Sequence, residues 1–278
     1  HAVAMTGYTL MAFMATGNLP DEGEYGKAVT SGMQFLLSSV KSDGFIQSGS
    51  TNMYGHGIAA IALAELHGQT RDPRIRPKLE QAIGLIVKCQ NNEGGWRYAP
   101  RVGDADISVT VLQVVALRAA KNAGLKVPKE TIDRAVQYVR NCYNAQRGAF
   151  TYQARRGAGD VGFARTAAAI YSLQVCGEYD DPRVKAGAAF LFRNRSERSH
   201  FTYGQFYAAP AMYMVGGDDW KNWYSQIRDP LMKAVKRQGD LCWWENDLDH
   251  NRVGPVYNTA VYVSILAMPF HYVPLYQR

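Results

Sequence analysis

The sequence predicts an all-α fold: helical hairpins closed into one ring, an (α/α)6 toroid that lacks one outer helix at its N-terminal end. Three observations predict it. Glycine and proline punctuate the chain at a period of roughly 40–55 residues, the spacing of a hairpin repeat. The segment before each glycine is apolar on nearly all sides, while the segment after it has one apolar stripe and one charged face. No long stretch alternates apolar and polar residues as a half-buried strand would.

The first inner segment, 1–16, contains no Asp, Glu, Lys or Arg. It lacks the basic leader of a signal peptide and contains Thr6, Gly7 and Thr9, so it reads as a buried helix. Gly17 stops it, and Pro20 precedes the first outer helix, 24–40. The second inner helix, 53–67, stops at Gly68, and Asp72-Pro73 opens the outer helix 73–90. The third, 107–123, stops at Gly124, with Pro128 before the outer helix 129–144. The fourth, 163–176, stops at Gly177, and Asp181-Pro182 opens 182–194. The fifth, 203–215, stops at Gly216-Gly217, and 220–237 follows. The sixth, 257–268, ends the series. Gly suits the left-handed position just past a helix, and Pro suits the first turn of the next. Thr6, His56, Thr110, Thr166, Phe206 and Thr259 align as one column of the inner helices. An open solenoid would leave both helices of each hairpin similarly amphipathic, so the contrast between the two sets favours a closed ring.

The chain of 278 residues is long enough for one such ring, 1–278, as a single domain. Hydrophobic residues at 47% and charged residues at 20% exclude disorder. The net charge of +7 is spread along the chain, with no basic arm or patch, so no nucleic acid partner is expected. No transmembrane segment is expected. The four cysteines, Cys89, Cys142, Cys176 and Cys242, form no C-x-x-C pair and read as packed thiols. The chain begins at His1 without an initiator Met; a removed export signal is one origin for that, and the compartment stays open.

Each outer helix is joined to the next inner helix by a glycine-aromatic link. The clearest is Gln90-Asn91-Asn92-Glu93-Gly94-Gly95-Trp96. Weaker copies are Ser42-Asp43-Gly44-Phe45, Gln146-Arg147-Gly148-Ala149-Phe150 and Gln238-Gly239-Asp240-Leu241-Cys242-Trp243. An aromatic-x-Tyr tail recurs in Trp96-Arg97-Tyr98, Phe150-Thr151-Tyr152 and Phe201-Thr202-Tyr203. This is similar to the Gln-x3-Gly-x-Trp repeat of the terpene cyclase and protein prenyltransferase family, squalene-hopene cyclase among them, and covers essentially the whole chain. The motif's role is structural: Gly makes the turn, Trp packs under the helix end, and Gln bonds exposed helix-end groups.

In such a ring the six inner helices start at one mouth, aiming unpaired N–H groups and partial positive charge at a central cavity. Candidate site residues therefore lie at those starts. Asp104-Ala105-Asp106-Ile107-Ser108 opens the third inner helix. The resemblance implies that Asp106 matches the middle Asp of the Asp-x-Asp-Asp-Thr acid of class II cyclases, with Asp104 as the first Asp. Keeping that acid neutral needs desolvation or a partner such as His56, which otherwise makes the hydrogen bond of the threonines in its column. Ile107 replaces the last Asp and Ser108 the Thr. A helix N-terminus favours the carboxylate over the neutral acid, and an Asp here also serves as an N-cap. Ligand contacts are expected from Arg165, Gln205, Tyr207, Trp243, Trp244, Tyr257 and Asn258. Arg165, on an otherwise uncharged helix, has Asp160 as a structural partner one turn earlier. Trp243 and Trp244 are cavity walls or core. Asp240, Cys242 and Asn258 only partly resemble a prenyltransferase zinc set, so no metal and no cofactor are expected.

The expected function is binding of an apolar or amphiphilic small molecule, such as an isoprenoid, in the central cavity, with acid-initiated cyclisation through Asp106 if the protein is an enzyme. The chain has no room for a class II cyclase's second helical domain, so a partner domain or subunit is one expectation. A non-catalytic ligand- or protein-binding toroid is the alternative. A carbohydrate-active (α/α)6 enzyme is the third reading, and it requires two carboxylates facing each other roughly 5–10 Å apart.

Overall fold

The structure is a computed structural model that describes residues 1–154, 157–250 and 252–276. Six inner helices carry the core: α1 (Ala2–Ala15), α3 (Met53–Thr70), α5 (Ile107–Asn122), α7 (Phe163–Val175), α9 (Phe201–Val215) and α11 (Pro255–Leu266). Five outer helices alternate with them: α2 (Gly26–Ser39), α4 (Ile75–Cys89), α6 (Lys129–Asn141), α8 (Pro182–Arg193) and α10 (Gly217–Ala234). Each inner helix packs on the next, and α11 packs on α1, so the ring is closed. Small residues permit this packing. A Cβ on Gly7 would lie 3.1 Å from the Ile58 carbonyl oxygen, so the α1 and α3 backbones nearly touch. None of the described helices is long and apolar enough to cross a membrane.

The inner helices are buried almost all round: fourteen of the eighteen residues of α3 are buried, from Met53 to His67 without Tyr54. The outer helices bury one stripe only, as in α6, where Thr131, Ala135, Val136, Tyr138 and Val139 face inward. The predicted boundaries hold with three differences, the first being that the outer helix expected over 129–144 stops at Asn141. Gly68 lies inside α3, and the left-handed stop falls at Arg71 (φ 57°), whose guanidinium bonds the Ala123 carbonyl at 3.2 Å. That anchor supports a conformation a non-glycine residue seldom adopts. The last outer helix stops at Ala234, and residues to 243 turn into an antiparallel hairpin, β3 (Lys236–Gln238) with β4 (Leu241–Trp243). A second short pair, β1 (Tyr143–Asn144) with β2 (Ala149–Phe150), lies in the link before α7.

The glycine-aromatic links act as the sequence implies. Trp96 is buried under α4, its indole N–H donating to the Ile86 carbonyl at 2.8 Å. Gln90 donates to the carbonyls of Gly94 (2.9 Å) and Thr131 (2.8 Å), tying one outer helix to the next. In the last link Trp244, and not Trp243, takes the motif's place: its indole bonds the Leu231 carbonyl at 2.7 Å. Trp244 stands six residues after Gln238, the same spacing that separates Trp96 from Gln90. The aligned column fixes these links to the inner helices. Thr110 Oγ1 accepts the Trp96 amide (3.1 Å), Thr166 that of Phe150 (3.1 Å) and Thr259 that of Trp244 (3.1 Å). His56 Nδ1 accepts the Ile46 amide at 3.1 Å, doing what the threonines do.

One end of the ring is sealed. After α11 the chain makes two short 3-10 turns, Met268–Phe270 and Pro274–Tyr276, and buries Leu275 and Tyr276 against the ring. Glu65, on the last turns of α3, is buried beneath this plug and is bonded by the Leu275 backbone.

Candidate functional site

The other end is open, and a cavity of about 540 Å³ descends from it. Every inner helix contributes to its wall from its first turns, including Ala4 (α1), Gly55 (α3), Ile107 (α5), Ala164 (α7), Tyr203 (α9) and Tyr257 (α11). The wall is mostly carbon, and its most frequent residue is tyrosine, one from each repeat: Tyr8, Tyr54, Tyr98, Tyr152, Tyr203 and Tyr257. Tyr98 and Tyr152 come from the links and sit at the rim. Tyr8 lies six residues into its helix, about 9 Å along the axis from the helix start at 1.5 Å per residue.

The deep tyrosines form one packed set. Tyr8 and Tyr54 share a hydrogen bond at 2.7 Å. Tyr8 meets Tyr257 edge-on at 4.9 Å between centroids, and Tyr203 meets Tyr207 at 4.9 Å. Such T-shaped pairs each add roughly 0.5–1.5 kcal/mol beyond area burial. Burial pushes the Tyr54 phenol up to about 12, and those of Tyr8, Tyr203 and Tyr257 well above their ordinary value. These hydroxyls stay protonated at any physiological pH.

Of the residues singled out in the sequence, Arg165 and Tyr257 line the cavity. Arg165 is half-buried, pairs with Asp160 at 3.0 Å and also donates to the Asp160 carbonyl. Its guanidinium lies 5.9 Å from the Tyr152 ring centre. Asp106 lies just behind the wall and has no exposure to solvent. It is the N-cap of α5: Oδ1 accepts the Val109 amide at 2.9 Å and the Ser108 hydroxyl at 2.5 Å. Arg97 faces its other oxygen at 3.3 Å. Burial raises the Asp106 carboxyl above its usual value, and the Ser108, Val109 and Arg97 groups pull it back. Asp104 is exposed and lies 3.5 Å from Arg97. His56 is fully buried and away from the wall; burial lowers its imidazole to about 4, so it stays neutral.

The remaining candidates stand outside the wall. Tyr207 is buried behind Tyr203, and Gln205 is buried in α9. Trp243 bonds Glu245 at 2.7 Å, and Trp244 is the buried motif aromatic. Asn258 ties α11 to its link by donating to the Glu245 carbonyl at 2.9 Å and to Asn246 at 3.0 Å. Among the described residues no cluster of three or more His, Cys, Asp or Glu side chains could hold a metal ion.

Sequence reasoning missed Tyr8, Tyr54, Tyr98, Tyr152, Tyr203 and Ser108 as wall residues. The signal for three of them was the aromatic-x-Tyr tail, whose tyrosine faces the cavity in each case. Ser108 connects the wall to Asp106: the Tyr98 hydroxyl lies 3.1 Å from Ser108 Oγ, and the Tyr152 hydroxyl 3.5 Å from that of Tyr98.

The family model of the squalene-hopene cyclase C-terminal domain matches residues 53–227, from the second inner helix into the last outer one. The chain belongs to this family. No curated protein sequence matches it. Among solved structures, cellobiose 2-epimerase from Bacillus thermoamylovorans B4167 superposes with a TM-score of 0.68 at 13% identity, covering 96% of this chain and 87% of that one. The α-1,6-mannanase GH76A of Salegentibacter sp. HEL1_6 gives 0.69 at 7% identity, covering 95% and 88%. Candida albicans protein geranylgeranyltransferase-I, in complex with GGPP, gives 0.62 at 13% identity, covering 95% and 83%. The family's toroid is thus shared with enzymes of carbohydrates and of isoprenoids, and at these identities the likeness is one of fold.

Proposed function

We propose that the protein binds an apolar ligand of isoprenoid type in the tyrosine-walled cavity. The observation that carries this reading is the character of the wall: six tyrosines, one per repeat, around a mostly carbon surface closed at its inner end. At about 30 Å³ per water-sized group, 540 Å³ holds roughly 15–20 non-hydrogen atoms. A C15 chain fits whole, and squalene would protrude from the mouth. Among the described wall residues Asp249 is the single carboxylate, and it accepts the Thr202 amide at 2.8 Å. The two opposed acids of a glycan-cleaving toroid are therefore not assembled there.

One observation favours a catalytic version. Asp106 communicates with the cavity through Ser108 and Tyr98, so a proton can pass between the buried carboxyl and a bound ligand by way of two hydroxyls. Asp106 is then the acid or base of the site without touching the ligand.

Isothermal titration with C15 and C30 isoprenoids, cellobiose and mannotriose tests the binding reading. The C15 ligands are expected to bind in the micromolar range and the saccharides not at all; saccharide binding without isoprenoid binding overturns it. Product analysis with the wild type and Asp106→Asn separates the two versions. Binding without any product leaves a binding module, and product lost in the variant supports the proton relay.

A further inference from the structure

The rim of the cavity carries a polarised set of hydroxyls. Asp106 Oδ1 lies 2.5 Å from Ser108 Oγ, and a carboxylate can only accept, so the serine proton points at Asp106. Ser108 Oγ then offers its lone pairs to the Tyr98 hydroxyl at 3.1 Å, which donates to it. Tyr98 in turn receives the Tyr152 hydroxyl, 3.5 Å away. Each hydroxyl owns one proton and two lone pairs. The three protons run inward to the carboxylate, and what the wall presents to the cavity is oxygen lone pairs. The Val109 amide, the Ser108 hydroxyl and Arg97 all face this carboxyl and oppose the burial that raises it.

We infer that the ligand carries a hydrogen-bond donor, a free hydroxyl at the end of its apolar chain, which donates to the Tyr98–Tyr152 pair at the rim. This rests on the isoprenoid reading of the cavity and names the functional group that reading leaves open. A hydrocarbon leaves the rim oxygens without a partner. An ether has no proton to give. A diphosphate brings only acceptors against lone pairs backed by a carboxylate, and the nearby guanidiniums are already engaged, Arg165 with Asp160 and Arg97 with Asp104 and Asp106. The apolar remainder descends past Tyr203 and Tyr257 toward Tyr8.

Four probes of equal carbon skeleton isolate the donor: farnesol, farnesyl methyl ether, farnesene and farnesyl diphosphate, titrated against the full chain. Farnesol is expected to bind about tenfold more tightly than the methyl ether, the ratio for one hydrogen bond that feeds a charged group. Tyr98→Phe breaks the chain between Tyr152 and Ser108 and is expected to reduce the ratio to about one, a ratio taken within the variant and so independent of any general change in its affinity. Tyr152→Phe, a second variant at the far end of the chain, is expected to lower the ratio as well. Equal binding of alcohol and ether by the wild type overturns the inference and leaves the apolar cavity standing, as does preference for the diphosphate. Failure of all four probes to bind overturns the cavity reading itself and the inference with it.

Discussion

Replacing Glu65 by Gln should change how stability depends on pH. The Glu65 carboxyl is 3% exposed, and one oxygen has no hydrogen-bond partner. Burial pushes it from an ordinary 4.5 up to about 8, with the Leu275 backbone opposing the rise. The folded protein therefore holds this proton up to about pH 8, whereas the unfolded chain releases it near 4.5. Between those values the folded state binds more protons, and stability falls as pH rises. At about 1.4 kcal/mol per pH unit the interval is worth at most about 5 kcal/mol. Partial relaxation and water entry reduce it to roughly 2–4 kcal/mol. Gln keeps an acceptor for Leu275 and carries no charge. Urea denaturation of wild type and Glu65→Gln from pH 5 to 8.5 measures it. Relative to the wild type, the variant should gain roughly 2–4 kcal/mol of stability over this range, so the variant is the more stable protein at pH 8. Parallel curves would falsify the assignment. His56 bounds the other side: its depressed imidazole keeps it neutral in the fold, so stability is lost as pH falls from 6.5 toward 4 in both proteins.

Two further perturbations probe the repeat and the cap. Gly94 has φ +92°, and a Cβ there would collide with the Arg134 carbonyl oxygen; Gly124 has φ +89° and open space around it. Ala at 124 should cost about 1–2 kcal/mol for the left-handed backbone, and Ala at 94 more than about 3 kcal/mol, read from denaturation midpoints; equal costs would refute the close approach of the links to the outer helices. Asp106→Ala should cost about 1–3 kcal/mol through the lost cap and the stranded Arg97, and Asp106→Asn less than half of that. A loss below roughly 0.3 kcal/mol for the alanine variant would show that the cap is not holding α5.

Much of the ring was legible because hairpin punctuation and helix amphipathicity are local. His56 was expected as a partner of Asp106; its place in a column of threonines was the signal for the link hydrogen bond that it makes instead. The cavity wall was less so. Which tyrosines face inward depends on the rotation of each helix about its own axis, and that is fixed by neighbours far away in sequence, such as Gly7 against Ile58. Trp243 was aligned as the motif aromatic, but Trp244 keeps the six-residue spacing from its Gln and fills that place, and a two-stranded hairpin stands where continued helix was expected. Charge at Arg71 hid a left-handed residue that glycine usually marks. Asp106 reads in sequence as either acid or cap, and its hydroxyl chain to the cavity needs three separate segments brought together.

The packing of α11 on α1 has a consequence for how the chain comes off the ribosome. Until the last helix is made, both flanks of the growing arc are apolar and wet, so no shorter stretch of hairpins is self-sufficient. The ring should then fold as one late cooperative event, with protection from hydrogen exchange arriving together in α1 and α11. An open array of the same hairpins could instead grow stable one unit at a time.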